Sequence, residues 1–217
     1  MTNRLTLTPF LLAATLAVGC NEANNSESTT EVTIDSTAMR DTAGMNGSTG
    51  MMTDTARAAV NLLIDISDRK LYLIRNSDTE KTYNVAIGMG EHPTPVGDFK
   101  IHQIDWNPDW VPPPNEDWSK DKDKTPPGAK DNPMGRVRIV YEKPYSIHGT
   151  KDLKSLGKAE SHGSVRMANA DVIELGRILM NEGQAGKDET WINNALQDST
   201  KMYSAELPVQ IPLTNRK

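Results

Sequence analysis

Short runs of alternating apolar and polar residues constrain the fold more strongly than any other feature of the sequence. Three of them lie at residues 63–67, 70–75 and 81–88. A period of two is typical of β-strands, because successive side chains of a strand point to opposite faces. Turn-forming Ser, Asp and Asn residues at 67–69 and 76–78 separate the runs, so we expect consecutive hairpins and an antiparallel sheet.

Three later runs, at residues 98–104, 136–141 and 207–211, also predict strands. We find no internal repeat, which argues against a solenoid or a propeller. The sequence therefore predicts one β-rich domain built mainly from antiparallel sheet.

Helical spacing is confined to two segments. Residues 171–180 carry apolar side chains at Val172, Leu175 and Leu179, and residues 189–197 show a weaker pattern. These segments predict one or two helices. The first can be capped at its start by Asn169 or Asp171.

The N-terminal part of the chain has a different composition. Residues 1–20 contain Arg4, then a largely apolar run that ends at Gly19 and Cys20, which predicts a signal peptide. The small residues before Cys20, the single cysteine, resemble a bacterial lipobox, although Ala17 stands where leucine is commonest. The alternatives are an ordinary buried thiol or an incidental residue of a secretory signal, and an internal disulfide is excluded.

Residues 21–58 are rich in Ser, Thr, Asn, Asp and Gly and lack aromatic side chains. Such a segment buries too little apolar surface to offset the entropy of ordering it, so we expect a flexible tether.

The formal charge of the 217-residue chain is −5, which gives no electrostatic reason to expect nucleic-acid binding. On oligomeric state the sequence is silent.

Two short motifs carry the candidate chemistry. The first is Ile147-His148-Gly149-Thr150, and the second is Ser161-His162-Gly163-Ser164-Val165-Arg166. Acyl transfer needs a nucleophile, a base that takes its proton, and donors for the oxyanion. Ser164 is the candidate nucleophile, His148 is the candidate base, and the backbone N–H groups of Gly163 and Ser164 are the candidate donors. A group that orients the base is not evident from the sequence.

The order of these motifs resembles the signature of the L,D-transpeptidase catalytic domain family (YkuD-like), in which a cysteine stands at the position of Ser164. Members of that family cross-link or trim peptidoglycan through a cysteine acyl-enzyme. The resemblance covers residues 59–213 and implies a β-sandwich-like catalytic domain that acts on peptidoglycan stem peptides without a cofactor. Together with Cys20, it implies a protein anchored by lipid to a bacterial membrane on the periplasmic side of the cell envelope.

The resemblance also assigns roles to the motif residues. His148 matches the family's base, and His162 matches a second histidine that shapes the pocket. For either histidine alone, a packed and hydrogen-bonded side chain would be the ordinary interpretation. Four histidines without a cysteine or acidic cluster do not predict a metal site.

Arg166 is expected to bind the terminal carboxylate of a stem peptide, with a structural ion pair as the alternative. Gly149 and Gly163 leave room for a close-approaching peptide, and Ser161 is grouped with them as a substrate-binding residue. The segment 92–99, His-Pro-Thr-Pro-Val-Gly-Asp-Phe, resembles the family's TPxGxF element, a turn near the site.

A long Pro-rich segment between Trp106 and Pro133 is expected to be functional or mobile. It looks like the substrate-covering insertion of larger family members. Trp106, Trp110 and Trp118 then line a lid, and Trp110 is a candidate substrate contact. The alternative is that these tryptophans anchor the loop to the sheet.

Ser164 leaves three interpretations open. The serine is a working but weak nucleophile, the domain is a binding module that has lost turnover, or cysteine was deliberately exchanged for serine. A hydroxyl must lose its proton to a well-placed base during attack, whereas a thiol is partly ionised at neutral pH. We favour the weak enzyme, because the other motif residues are present.

Overall fold

A computed structural model of the protein describes residues 58–114 and 116–217. The predicted signal peptide, Cys20 and nearly all of the predicted tether lie outside these residues. Within the described ranges no helix is long and apolar enough to cross a membrane. Nine strands and two α-helices form the fold: β1 (Val60–Asp65), β2 (Lys70–Arg75), β3 (Asp78–Gly88), β4 (Gly97–Trp106), β5 (Val137–Glu142), β6 (Tyr145–Thr150), β7 (Ala159–Ser161), β8 (Val165–Ala168), α1 (Asn169–Glu182), α2 (Glu189–Gln197) and β9 (Tyr203–Arg216).

The strands form one sheet in the order β2-β1-β9-β4-β5-β6-β8-β3-β7, and an additional pairing of β2 with β3 closes it. The first three strands form the two predicted hairpins. Most pairings are antiparallel, which confirms the expected β-rich and mainly antiparallel fold. Three pairings are parallel: β1 with β9, β6 with β8, and β3 with β7. No local pattern in the sequence indicates these parallel pairings.

The core lies between the closed sheet and α1. Val172, Leu175 and Leu179 on the apolar face of α1 are fully buried, and Gly176 lets the helix approach Val137 and Trp106. Burial of each such aliphatic side chain stabilises the fold by roughly 1.5–3 kcal/mol. The helix is thereby fixed on β5 and on β6, the strand that carries the first motif.

The two helix starts differ from each other. Asp188 caps α2 by accepting a hydrogen bond from the Trp191 N–H at 2.8 Å. The start of α1 has no side-chain cap, so the expectation that Asn169 or Asp171 caps it is wrong. Asn169 instead accepts from the Arg136 N–H and donates to the Thr150 carbonyl, and it therefore links α1 to β6.

Candidate active site

Parallel pairing of β6 with β8 brings the two motifs together. His148 lies opposite Arg166, and Ile147 lies opposite Val165. Ser164 immediately precedes β8 and is next to Ser146 of β6, whose N–H donates to the Ser164 Oγ at 3.2 Å. Residues separated by more than a dozen positions in the sequence therefore become neighbours.

Strand alternation puts the polar motif residues on the same face. Ile147, Val165 and Met167 are fully buried in the core. His148 follows Ile147 on β6, and Arg166 lies between Val165 and Met167 on β8. Both therefore point to the opposite face. This face is the floor of a cleft of about 1260 Å³, to which Ser146, His148, Ser164 and Arg166 all contribute.

The floor extends across four neighbouring strands. The register places Asp105 of β4, Arg138 of β5, His148 of β6 and Arg166 of β8 in one row. Adjacent strands lie about 4.8 Å apart, so the row spans about 14 Å. This distance is the extent of the cleft floor across the strands.

His148 is held in a defined orientation. Its Nδ1 is 2.9 Å from the Gly149 carbonyl oxygen, which only accepts, so Nδ1 carries the proton and Nε2 keeps its lone pair. The Gly149 carbonyl is thus the orienting group that the sequence did not reveal. Burial, and secondarily the charges of Arg166 and Arg138, lower the pKa of His148 to about 4. The imidazole is neutral at pH 7 and able to accept a proton.

Ser164 and His148 are not joined directly. Across residues 58–114 and 116–217, the Ser146 N–H is the hydrogen-bond partner of the Ser164 Oγ, and no bond connects the hydroxyl to His148. The hydroxyl proton is therefore not committed to the base in this conformation.

His162 faces the cleft from the turn before Ser164 and is covered by aromatic rings. Its ring stacks on Trp118, with centroids 3.8 Å apart and planes inclined by 19°, and it lies 5.2 Å from His92. Partial burial, followed by the nearby His92, keeps the pKa of His162 below its ordinary value of 6.5. His162 therefore belongs to the wall of the cleft, in contact with the long loop.

Hydrogen bonds within the turn before β8 stabilise it. The hydroxyl of Ser161 donates to the Ser164 carbonyl and accepts from the Gly163 N–H at 3.2 Å. Ser161 is only 1% exposed but is among the residues that line the cleft, so its role in substrate binding stays a prediction. The Gly163 N–H is engaged by that hydroxyl, so the Ser164 N–H is the donor of this pair without an acceptor in the described part of the chain.

The two motif glycines are packed against different residues. A Cβ on Gly149 would overlap the side chain of Asn169 and crowd Val172, so packing alone requires glycine here, and a contact of Gly149 with substrate stays a prediction. Gly163 has φ +99°, a conformation that favours glycine. A Cβ there would lie 2.5 Å from the Tyr145 ring.

The two arginines beside His148 differ in their partners. Arg138 donates from Nε and Nη2 to the fully buried Asp105 carboxylate at 2.9 and 2.8 Å. Among the described residues, no carboxylate lies within 4.0 Å of the Arg166 guanidinium. The ion-pair alternative for Arg166 therefore has no support, and its charge faces the cleft.

The loop between β4 and β5 contributes to the walls of the cleft. Trp110 pairs with Thr125 through two backbone hydrogen bonds of 2.9 Å and, like Trp118, lines the cleft. Trp106 is fully buried and its Nε1 donates to the Met180 sulfur, so the expectation that Trp106 lines a lid is wrong. The role of the loop as a lid stays a prediction.

Residues outside the two motifs also contribute to the site. Ser146, Asp105 and Arg138 line the cleft, and Thr94 hydrogen bonds to the turn before Ser164. Thr94 falls within the TPxGxF-like element, which is a signal in the sequence, but its contact cannot be deduced without the fold. In residues 58–114 and 116–217, no group of three or more His, Cys, Asp or Glu side chains is arranged to hold a metal ion.

Similar chains are found among known proteins. The Bacillus subtilis (strain 168) protein YkuD is 33% identical over 122 residues, which cover 56% of this chain and 61% of YkuD. YqjB from the same organism is 29% identical over 162 residues, which cover 69% of this chain and 84% of YqjB. A crystal structure of an L,D-transpeptidase from Mycobacterium tuberculosis H37Rv aligns with 73% of this chain and 58% of that chain, at 14% identity and a TM-score of 0.45.

The family model of the L,D-transpeptidase catalytic domain (YkuD) matches residues 60–185, more than half of the chain. Both motif segments and the helix that supports them fall within this range. The chain therefore belongs to the family of L,D-transpeptidase catalytic domains.

Proposed function

We propose that this domain transfers acyl groups from peptidoglycan stem peptides through an ester on Ser164, with low turnover. The observation that carries the proposal is the placement of Ser164, His148 and Arg166 on the single face that forms the cleft floor. Such a face presents a nucleophile, a base and a cation to one bound peptide.

In the first half of the reaction, the Ser164 Oγ forms a bond to the carbonyl carbon of the stem peptide, and its proton passes to the His148 Nε2. The tetrahedral intermediate then collapses, the peptide C–N bond breaks, and the leaving amine takes that proton. In the second half an amine or water attacks the ester carbonyl carbon and gives a proton to His148. The ester C–O bond then breaks, and the Ser164 Oγ takes that proton from His148. The Ser164 N–H is the proposed donor to the developing oxyanion.

Low turnover follows from the low pKa of His148 and from the missing hydrogen bond between Ser164 and His148 in the described residues. A pKa of about 4 keeps His148 neutral at pH 7 but makes it a poor acceptor of a hydroxyl proton. The Ser164 Oγ accepts a hydrogen bond from the Ser146 N–H, and among the described residues it makes none to His148, so the two side chains must approach each other before the hydroxyl proton is transferred. A thiol at this position would depend less on the base, because it ionises more readily.

Arg166 is the proposed binding group for a substrate carboxylate. Its guanidinium faces the cleft, and no salt bridge within the described ranges neutralises it. A guanidinium binds a carboxylate through two parallel hydrogen bonds. The stem peptide would then lie along β8, with its carboxylate on Arg166 and the reactive carbonyl near Ser164.

A second candidate function is a binding module without turnover. The observation that favours it is the missing hydrogen bond between Ser164 and His148 in the described residues. A deliberate exchange of cysteine for serine would give the same structure. Both alternatives predict tight binding of stem peptides with no covalent product.

Mass spectrometry of the purified protein incubated with peptidoglycan fragments tests the proposal. We expect an adduct on Ser164 that is absent from Ser164→Ala and strongly reduced in His148→Ala. Binding without an adduct or product would contradict the enzyme and support the binding module.

A companion experiment restores sulfur at the same position. Ser164→Cys is expected to raise turnover steeply, because the thiolate attacks without complete dependence on His148. An unchanged rate would argue that the rest of the site does not support acyl transfer.

The proposed location is the periplasmic side of the cell envelope, with a lipid on Cys20 and residues 21–58 as tether. The composition of residues 1–58 supports it. Inhibition of lipoprotein signal processing should then accumulate an uncut precursor, and a mature N-terminus at another residue would contradict the lipid anchor.

A further inference from the structure

Thr94 lies in the loop between β3 and β4, and its hydroxyl connects two segments that are distant in sequence. The Gly88 N–H at the end of β3 donates to the Thr94 Oγ1 at 2.8 Å, and the Oγ1 donates to the Gly163 carbonyl oxygen at 2.9 Å. Only 4% of Thr94 is exposed. The hydroxyl therefore acts as both acceptor and donor in a dry environment, where neither partner has water as a substitute.

The loop that carries Thr94 packs directly on Gly88. A Cβ on Gly88 would overlap the backbone of His92, Pro93 and Thr94, so glycine is required for this approach. The Pro93 carbonyl in turn lies 3.4 Å from the position of a Cβ on Gly163. Thr94 is thus held between the end of β3 and the turn before Ser164.

The Gly163 carbonyl and the Ser164 N–H belong to the same peptide unit. Because that unit is planar and trans, its C=O and N–H point in opposite directions. A hydrogen bond that fixes the Gly163 carbonyl on the Thr94 side therefore directs the Ser164 N–H away from Thr94. That N–H is the one for which the turn provides no acceptor within the described residues.

We propose that Thr94 is a positioning residue for acyl transfer, which orients the Gly163–Ser164 peptide so that the Ser164 N–H meets the developing oxyanion. This inference rests on the proposed function of Ser164. Thr94 does not touch the reacting atoms. It acts through the Gly163 carbonyl, whereas Ser161 braces the same turn through the Gly163 N–H and the Ser164 carbonyl.

The test compares Thr94→Val, which keeps the shape and removes the hydroxyl, with Thr94→Ser, which keeps the hydroxyl. The matched control is Thr214→Val, which removes the hydrogen bond from Thr214 to Asp98 on a different part of the sheet. Each substitution is made in the full chain with Ser164 and also with Ser164→Cys. The acylation rate and the equilibrium affinity for a stem peptide are measured separately.

Thr94→Val is expected to slow acylation by about tenfold to a hundredfold, somewhat less than outright loss of an oxyanion donor. Affinity should stay within about twofold, because uniform binding is not affected. Thr94→Ser should recover most of the rate, and Thr214→Val should match the parent protein. An unchanged acylation rate in Thr94→Val, or a parallel loss of affinity and rate, would overturn the inference.

A readout independent of catalysis separates this inference from the proposed function. The backbone amide resonance of Ser164 should shift in Thr94→Val and return in Thr94→Ser, and an unmoved resonance would overturn the positioning role. If neither the Ser164 nor the Cys parent forms an adduct, the proposed function fails, and the catalytic role of Thr94 fails with it. Adducts that form equally fast with and without the Thr94 hydroxyl would contradict the positioning role of Thr94 but not the proposed function of Ser164.

Discussion

At the scale of single residues, burial decides the protonation of the candidate base. His148 is 4% exposed and lies in a row with two arginines, so a positive charge on the ring is disfavoured by burial first and by those cations second. The same environment has a cost for the folded state. The unfolded chain takes up a proton at His148 below pH 6.5, whereas the folded chain does so only near pH 4.

This difference predicts a pH-dependent loss of stability. Between pH 6.5 and 4 the folded state binds fewer protons at His148 than the unfolded state, so stability falls as the pH falls through that window. From pH 7 to pH 4, the free energy of unfolding of the parent protein should drop by about 3 kcal/mol more than that of His148→Asn. Urea titrations at a series of pH values measure it. Parallel curves for the two proteins would contradict a buried, neutral His148.

Arg166 allows a second prediction at this scale, in which the substrate provides the control. Arg166→Ala should weaken binding of a stem peptide with a free terminal carboxylate by about tenfold to a hundredfold, the range expected for hydrogen bonds to a charged group. The same peptide with an amidated terminus should bind both proteins equally. Arg177→Ala, which loses a surface contact with Glu189, should bind like the parent. A similar loss for both peptides would contradict carboxylate recognition by Arg166.

At the scale of elements, the strands that were missed are those that carry the chemistry. Five of the six residues of β6 are buried, so the strand lacks the alternation of polar and apolar residues by which strands are recognised. β7 and β8 are only three and four residues long. The motifs could be identified from the sequence, but their alignment depends on the parallel pairing of β6 with β8, and no local pattern encodes it.

The contact between Trp118 and His162 gives a prediction at the scale of the long loop. Trp118→Ala removes the ring that covers His162, and it also displaces Lys122, which lies 5.0 Å from the Trp118 ring. Both changes should raise the pKa of His162 toward 6.5, because burial and nearby positive charge lower it. The contribution of Glu116 is opposite in sign and smaller.

An NMR titration of the His162 ring protons measures this shift. Trp191→Ala is the control, since Trp191 packs against Tyr203 rather than against a cleft histidine. The same titration midpoint in Trp118→Ala and in the parent would show that the loop does not shield His162 in solution.

At the scale of the whole molecule, β9 was predicted only in part. The sequence predicts a strand at 207–211, whereas β9 has 14 residues and lies between β1 and β4. Pro208 and Pro212 argue against a central strand, because proline cannot donate to a ladder. Pro208 is tolerated where the pairing with β4 shifts register, and pairing with β1 begins only at Leu213. The position of β9 between β1 and β4 therefore depends on long-range pairing that no local sequence pattern indicates.

The C-terminal end of β9 should consequently stabilise the entire domain. Removal of residues 214–217 deletes the pairing of Thr214 and Asn215 with both β1 and β4, together with the hydrogen bond from Asn215 to the Pro95 carbonyl. With about 1 kcal/mol for each of several lost hydrogen bonds, we expect a loss of roughly 3–6 kcal/mol. Removal of Lys217 alone is the control, since this residue is exposed and lies beyond the strand. Equal melting temperatures for the two truncated proteins would mean that the C-terminal end of β9 does not stabilise the domain.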